Sequence, residues 1–313
     1  MTDIKLKKVK LKGNESFNFR EGWLRKGMRC VAECDTLFSQ DDVMERLGVG
    51  SKMVKSIRFW LQATRLCKEI YINSGRGRAL EITDDFGKVI MRYDPYFDDL
   101  FTLFLVHYQI VSNIDFCVVW HLFFNNYDGQ NFTKENMIEN CSYYLDKHMV
   151  EGSTYSNSLF ADDCSSVLRM YSNENGDWDA YSNSTNDLHP EDSLECPLSD
   201  LGLLQRTSSK RGTYMKTKPG RDRLDKLAVL YVISQNLIAQ NRDSVSIADL
   251  QAADNNVGKV FNLSRVMINE YLDQLRIAGY LTMNRTAGLD MVYLNSRLEP
   301  QDIMVEYYKK AQV

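Results

Sequence analysis

The sequence predicts a mainly α chain of the α+β class, with a winged helix-turn-helix unit near each end and a helical region between them. Three observations carry this reading. Apolar residues recur at i, i+3, i+4 through most of the chain, the period of an amphipathic helix. Twice, a helix-turn-helix pattern is followed by two short β-rich runs around a tight glycine turn. Residues 94–171 read instead as a succession of helices.

In chain order, the first 13 residues alternate Lys with apolar residues, as an edge strand or a basic arm would. Trp23, Leu24, Gly27, Cys30, Val31 and Cys34 then mark a helix over 21–34. Ser39 with an acid three residues later predicts an N-cap for a second helix through Val43, Met44 and Leu47. That helix stops at Gly48-Val49-Gly50, and a third begins at Ser51 with Met53, Val54, Ile57, Trp60 and Leu61 inward. At 100° per residue its opposite arc holds Lys52, Lys55, Phe59 and Gln62, flanked by Ser51, Ser56 and Arg58. Residues 68–73 and 79–83 predict two strands around Ser74-Gly75-Arg76-Gly77-Arg78, a turn with two guanidiniums at its tip.

In the middle, Pro95 is expected to open a helix that is apolar almost all round from Leu100 to Val111, followed by helices over 116–125, 133–148 and 157–171. Residues 172–197 are rich in Ser, Asn, Asp and Gly without periodicity, which predicts a long loop. A short hairpin is expected over 203–218. Helices follow over 224–240, 246–252 with a Ser cap, and 264–279, with a turn or short helix at 256–263; strands at 280–284 and 291–294 form the second wing. These shifts divide the chain into an N-terminal winged helix with a basic arm (1–93), a helical middle (94–171), an acidic linker (172–205) and a C-terminal winged helix (206–313).

At 313 residues the chain is long enough to bury a core without disulfides. The seven cysteines are odd in number and sit mostly in apolar stretches, and the N-terminus has no apolar signal region, so a reducing cytoplasm is the expected compartment. The most apolar runs, 100–111 and 116–124, fall short of the ~20 residues a membrane helix needs.

The net charge of −4 disfavours a protein dedicated wholly to nucleic acid, but charge is segregated. Residues 51–78 carry a net +6, residues 161–200 a net −9, residues 206–226 a net +6, and residues 241–295 a net −1. Alternating sign lets one patch attract a polyanion while the whole molecule stays acidic. Lys52, Lys55, Ser56, Arg58 and Gln62 on the third helix, with Arg76 and Arg78 on the wing, are therefore the expected DNA contacts, because a helix face and a turn tip come out basic where a winged helix meets a duplex. The plainer alternative is a solvated face.

Other chemistry is weaker. Cys30 and Cys34 share a helix face, as two metal ligands would, but no Cys-x-x-Cys or finger spacing accompanies them, and buried thiols are the preferred reading. His107 lies downstream of Asp94, Asp98 and Asp99, yet a lone His in an apolar helix is more often a hydrogen-bonded core residue than a catalyst. Walker A, dinucleotide-binding, nucleophile-elbow and zinc-protease motifs are all missing from the sequence. No catalytic residue, metal or cofactor is assigned.

Three blocks carry a family resemblance: Asn14-Glu15-Ser16-Phe17-x-Phe19-Arg20-x-Gly22-Trp23-Leu24-x-Lys26-Gly27, then Leu47-Gly48-Val49-Gly50-x-Lys52-Met53-Val54-x-Ser56-Ile57-Arg58-x-Trp60, then Asp94-Pro95-Tyr96 ahead of the helix with His107 and Gln109. With Cys196-Pro197-Leu198, these make the chain resemble the prokaryotic domain of unknown function 4007 family over nearly its whole length. Members look like accessory proteins of phage-defence islands, often beside phosphoadenosine phosphosulfate reductase-like and DNA phosphorothioation genes. The resemblance supplies no catalytic residues, and where members often have His in the first block this chain has Asn14. The expected protein is a non-enzymatic accessory factor that binds double-stranded DNA, with protein partners from the same defence operon. The alternative is an adaptor that docks a sulfur-transfer or nuclease enzyme through its winged helices.

Overall fold

Gly22, at a φ of 78°, turns the chain into α1 (Trp23–Glu33), which buries Trp23, Leu24, Met28, Cys30 and Val31. The computed structural model describes residues 5–72, 75, 77–172, 196–207, 212–286 and 289–311. A short 3-10 turn at Leu37–Ser39 precedes α2 (Val43–Leu47). The Ser39 cap expected from sequence is not made: Ser39 ends the 3-10 turn, and Asp42 occupies the cap position of α2. Gly48, at a φ of 58°, closes α2, and α3 (Ser51–Ala63) follows. Gly27 lets α1 lie directly on α3, since a Cβ there would come within 2.9 Å of Ile57 Cγ2 and Leu61 Cδ1.

β1 (Cys67–Ile72) and β2 (Gly77–Ile82) form an antiparallel hairpin with Tyr71 opposite Arg78. The Leu80 N–H donates to the Asp35 carbonyl, tying the hairpin to the turn after α1. α4 (Gly87–Tyr93) was not anticipated. It starts where Gly87 passes so close to Leu66 that a Cβ would lie 2.2 Å from its carbonyl oxygen.

The helix expected to open at Pro95 begins at α5 (Leu100–Val111), capped by Asp99. Asp94 spends its carboxylate on the intervening turn, accepting from the Asp98 and Asp99 N–H groups and from Thr102 Oγ1. α6 (Val118–Asn125) is buried all round, like α5, so both read as uniformly apolar. β3 (Asn131–Thr133) leads through a Thr133–Asn136 capping box into α7 (Lys134–His148), and α8 (Asn157–Tyr171) follows. Most of the expected loop, 173–195, lies outside the described residues.

Beyond a 3-10 turn at Pro197–Leu201, β4 (Leu204–Arg206) and β5 (Thr213–Lys216) form the expected hairpin, and β3 completes it as a three-stranded sheet of order β3-β5-β4. The last part comprises α9 (Lys226–Ala239), β6 (Ser244–Ser246), α10 (Ile247–Ala252), α11 (Val257–Val260), α12 (Arg265–Ile277), β7 (Leu281–Thr286), β8 (Leu289–Leu294) and α13 (Pro300–Ala311), with a sheet of order β6-β8-β7. Ser246 and Ser264 cap α10 and α12 as their positions suggest. The fold is thus α+β, helical with three small sheets.

One hydrophobic cluster runs through all these segments. Trp60 of α3 meets Trp120 of α6 edge-on at 5.6 Å, and Tyr307 of α13 stacks on Phe101 of α5 at 3.8 Å. The N-terminal residues 5–20 are laid against the middle. Leu6 pairs with Met149 at the end of α7, and the Lys12 N–H donates to Asp163 of α8.

That arm overturns one reading of α3. Phe59, placed by periodicity on the exposed arc, from which it could pack on the wing or a neighbouring domain or join a partner interface, is buried against Trp60 and Phe116 of the middle, and Gly13 of the arm passes so near that a Cβ would lie 2.5 Å from its ring. Helical periodicity places a residue on an arc but does not reveal which distant segment will cover it.

Candidate nucleic-acid interface

α3 and the β1–β2 hairpin meet at one carboxylate. Arg58 Nη2 lies 2.7 Å from Glu69 Oε2, and Arg78 Nη1 lies 3.2 Å from Glu69 Oε1. Alternation along β1 puts Glu69 on the same face as Tyr71, which faces Arg78 across the hairpin. The Arg78 guanidinium sits 5.7 Å over the Tyr71 ring, and that ring is 67% exposed, so its outer face remains open to solvent. The α3 face and the β1–β2 hairpin thus share one surface rather than pointing to different sides of the molecule.

Further cations extend it. Lys52 and Lys55 are exposed on the N-terminal half of α3, and Lys55 Nζ lies 3.8 Å from Glu15 of the arm. Lys10, also from the arm, rests its ammonium 3.9 Å over the Phe116 ring. Burial of that ammonium lowers its pKa, and the charges of Glu69 and Arg58 act on it, which places Lys10 in the same field.

Two residues expected at the site do other work. Ser56 is fully buried, and its Oγ donates to the Phe17 carbonyl beside Trp60 Nε1, which uses the same acceptor; it is a core contact to the arm, not a DNA contact. Gln62 is half-buried and its Nε2 donates to the Arg58 carbonyl one turn back. Arg65, counted in the basic stretch, reaches Gln109 Oε1 at 2.8 Å and Ser112, bracing the end of α5. Arg76 lies outside the described residues. Lys52, Lys55, Arg58 and Arg78 therefore make the described part of the surface.

Glu69, Tyr71 and Lys10 escaped sequence reasoning. The parity of β1 pairs Glu69 with Tyr71 on one face, and this signal was available. The docking of the arm was not.

The other groups weighed for chemistry have structural partners. His107 is buried between α5, α8 and α11: Tyr171 Oη lies 2.7 Å from Nδ1, and Nε2 lies 2.8 Å from the Val260 carbonyl, so Nε2–H donates and Nδ1 accepts. Burial pulls its pKa down to about 4. Asn14, where family members often have His, is buried and links Ser166 Oγ to the Ser16 N–H. Cys30 is buried, and Cys34 Sγ sits 3.5 Å from Thr36 Oγ1. No helix of the described residues is long and apolar enough to cross a membrane.

Chemically, the surface offers ammonium and guanidinium donors to phosphate oxygens, with an exposed aromatic ring beside them. Two solved structures of SspB, one of them magnesium ion-bound, share the fold, with TM-scores of 0.81 and 0.82 for the plain and the magnesium-bound form. Each is 21% identical to this chain and covers 97% of it and 88% of its own length. No curated protein matches the chain. A family model described as "Protein of unknown function (DUF4007)" matches residues 11–308, nearly the whole length, and the chain belongs to that family.

Proposed function

We propose that this protein is a non-enzymatic accessory factor that binds double-stranded DNA through α3 and the β1–β2 hairpin. The observation that carries the reading is the shared carboxylate of Glu69, which draws Arg58 of the helix and Arg78 of the hairpin onto one surface with Lys52 and Lys55. Three helices followed by a hairpin is the order of a winged helix-turn-helix, and α10, α11, α12 and β7–β8 repeat that order. In this reading, α3 lies in or beside the major groove while Arg76 and Arg78 grip phosphates or the minor groove. The setting, DNA phosphorothioation or phage defence, is what the family resemblance implies; the magnesium ion in one SspB structure is a reason to test for metal dependence.

The test is duplex binding across a salt series, with plain and phosphorothioate-modified DNA, with and without Mg²⁺. Binding should fall steeply with salt, by roughly 0.9 in the log–log slope per phosphate neutralised. Changing Arg76 and Arg78 to Ala should weaken binding on all sequences and flatten the slope. Unaltered affinity in this double variant and in a Lys52→Ala/Lys55→Ala variant refutes the interface. Mg²⁺-dependent nicking of supercoiled plasmid refutes the non-enzymatic part.

A second reading, a protein adaptor, draws on α12. Its outward side exposes Val266 (65%) and Ile277 (78%), apolar side chains that suit a protein partner better than a phosphate backbone, in a segment of nearly balanced charge. Co-purification of a DNA-free complex from the native operon would favour it.

A further inference from the structure

We propose that the cavity lined by Lys216, Lys218 and Lys259, between the end of α6 and the start of α12, binds a phosphate group. The site is separate from the α3 surface and gives a role to the second basic stretch, 206–226, which that surface does not use.

The cavity has a volume of about 280 Å³. One cation is fixed in its wall by the fold itself. Lys216 Nζ donates to the carbonyls of Phe123 and Tyr127, both at 2.6 Å, and so closes the carboxyl end of α6. The same ammonium lies 4.5 Å over the Phe123 ring. Lys259, on α11, and Lys218, beyond β5, also line it. Against these three ammoniums the wall sets one carboxylate, Asp128, 2.7 Å from Lys259 Nζ. Ser264, the N-cap of α12, also borders the cavity, so the positive end of that helix adds to the imbalance.

Burial pulls the Lys216 ammonium down to about 7 from the usual lysine value of 10.5, while Cys141 and Asp128 act against that shift and Lys259 adds least to it. An oxyanion beside Lys216 would offset that cost of burial by favouring the charged ammonium. Lysine ammoniums are point-charge donors that suit phosphoryl oxygens, and a bound phosphate would hold Lys216 in its protonated form beside Lys218 and Lys259. The open side and the volume leave room for the group to which the phosphate is attached.

Two sources share this chemistry, a DNA backbone phosphate and a free phosphorylated small molecule. Titration calorimetry with inorganic phosphate, against chloride at equal ionic strength, tests the shared part. The full-length protein should bind phosphate saturably. Lys218→Met and Lys259→Met should each weaken binding by about fivefold or more, the scale of a lost charge-assisted contact, while Asp128→Asn should strengthen it. Lys216→Met also removes the α6 closure, so the proposal stands or falls on the other variants. Phosphate heats indistinguishable from chloride, or equal affinity in all variants, overturn the proposal.

Two further arms identify the source. A Lys218→Met/Lys259→Met variant with a lower salt slope on duplex DNA assigns the site to the backbone; one with unchanged duplex binding but weaker affinity for a nucleoside monophosphate assigns it to a small molecule. The Arg76→Ala/Arg78→Ala protein should titrate with phosphate like the parent, so failure at α3 and failure here are separable.

Discussion

Glu69 governs how much positive charge the α3–hairpin surface presents. It holds two guanidiniums, and partly exposed ion pairs are worth only about 0.2–1 kcal/mol each, so phosphates can take its partners over at small cost. Glu69→Gln should therefore raise duplex affinity several-fold at low salt while changing stability little; weaker binding would mean that Glu69 holds the guanidiniums in the geometry DNA needs. A second residue, Asp163, is set against its own ionisation. Burial raises its carboxyl to about 6 from 3.8, although the Lys12 N–H donates to it at 3.0 Å. The folded state thus holds the proton more tightly than the unfolded chain, and the stability this contributes is complete below pH 3.8 and lost as pH rises through 6. Asp163→Asn keeps the acceptor without the charge. It should stabilise the protein by about 1–2 kcal/mol at pH 7.5 and by almost nothing near pH 4, read from urea denaturation at the two pH values.

At the scale of elements, the legible parts were those whose burial is decided locally. α1, α3 and α12 each present an apolar stripe, and α5 and α6 read as apolar all round because the fold surrounds them; α9, expected to be amphipathic, is instead buried on every side from Leu227 to Ser234. The hairpins were marked by glycine turns. α4 and α13 passed unnoticed, α4 because only a short stretch, Gly87–Tyr93, is helical and α13 because its buried Ile303, Met304 and Tyr308 find partners in α4, α5 and α9, remote in sequence. The candidate surface was legible as charge on α3 and the turn, but Ser56 and Phe59 were misplaced because the arm that covers them lies about 40 residues upstream. Close packing of elements also separates two glycines that look alike as helix residues. Alanine at Gly27 would press at 2.9 Å on side-chain methyls of the buried Ile57 and Leu61, whereas alanine at Gly87 would meet the Leu66 backbone oxygen at 2.2 Å, which no rotamer change can move. Both replacements gain helix propensity, yet Gly87→Ala should cost about 3 kcal/mol or more and Gly27→Ala about 1–2. Equal thermal midpoints for the two variants would contradict this account of the α4 junction.

For the whole molecule, cohesion depends on contacts that cross the boundaries the composition suggested. β3 of the middle completes the sheet with β4 and β5, Gln109 of α5 joins Arg65 at the end of α3 to Tyr231 of α9, and His107 bridges α5, α8 and α11. Such bridges couple the segments, so tryptophan fluorescence and far-UV circular dichroism should report one coincident unfolding transition. Separated transitions would show that the segments unfold as independent units. His107 makes the same coupling visible in acid. Its folded pKa of about 4 lies below the unfolded value of 6.5, because burial excludes the imidazolium. Between those values the unfolded chain takes up a proton that the folded chain refuses, so stability is full above pH 6.5 and is lost as pH falls through 4, by up to about 3 kcal/mol. Asp163 acts in the opposite direction between pH 3.8 and 6, which makes the comparison of variants more informative than the parent profile alone. His107→Gln should be less stable than the parent at pH 7.5, having lost the paired contacts to Tyr171 and Val260. It should also lose less on moving to pH 4.5, in a single transition by both probes. A variant whose pH slope matches the parent would remove His107 as the acid-sensitive bridge between the middle and the C-terminal helices.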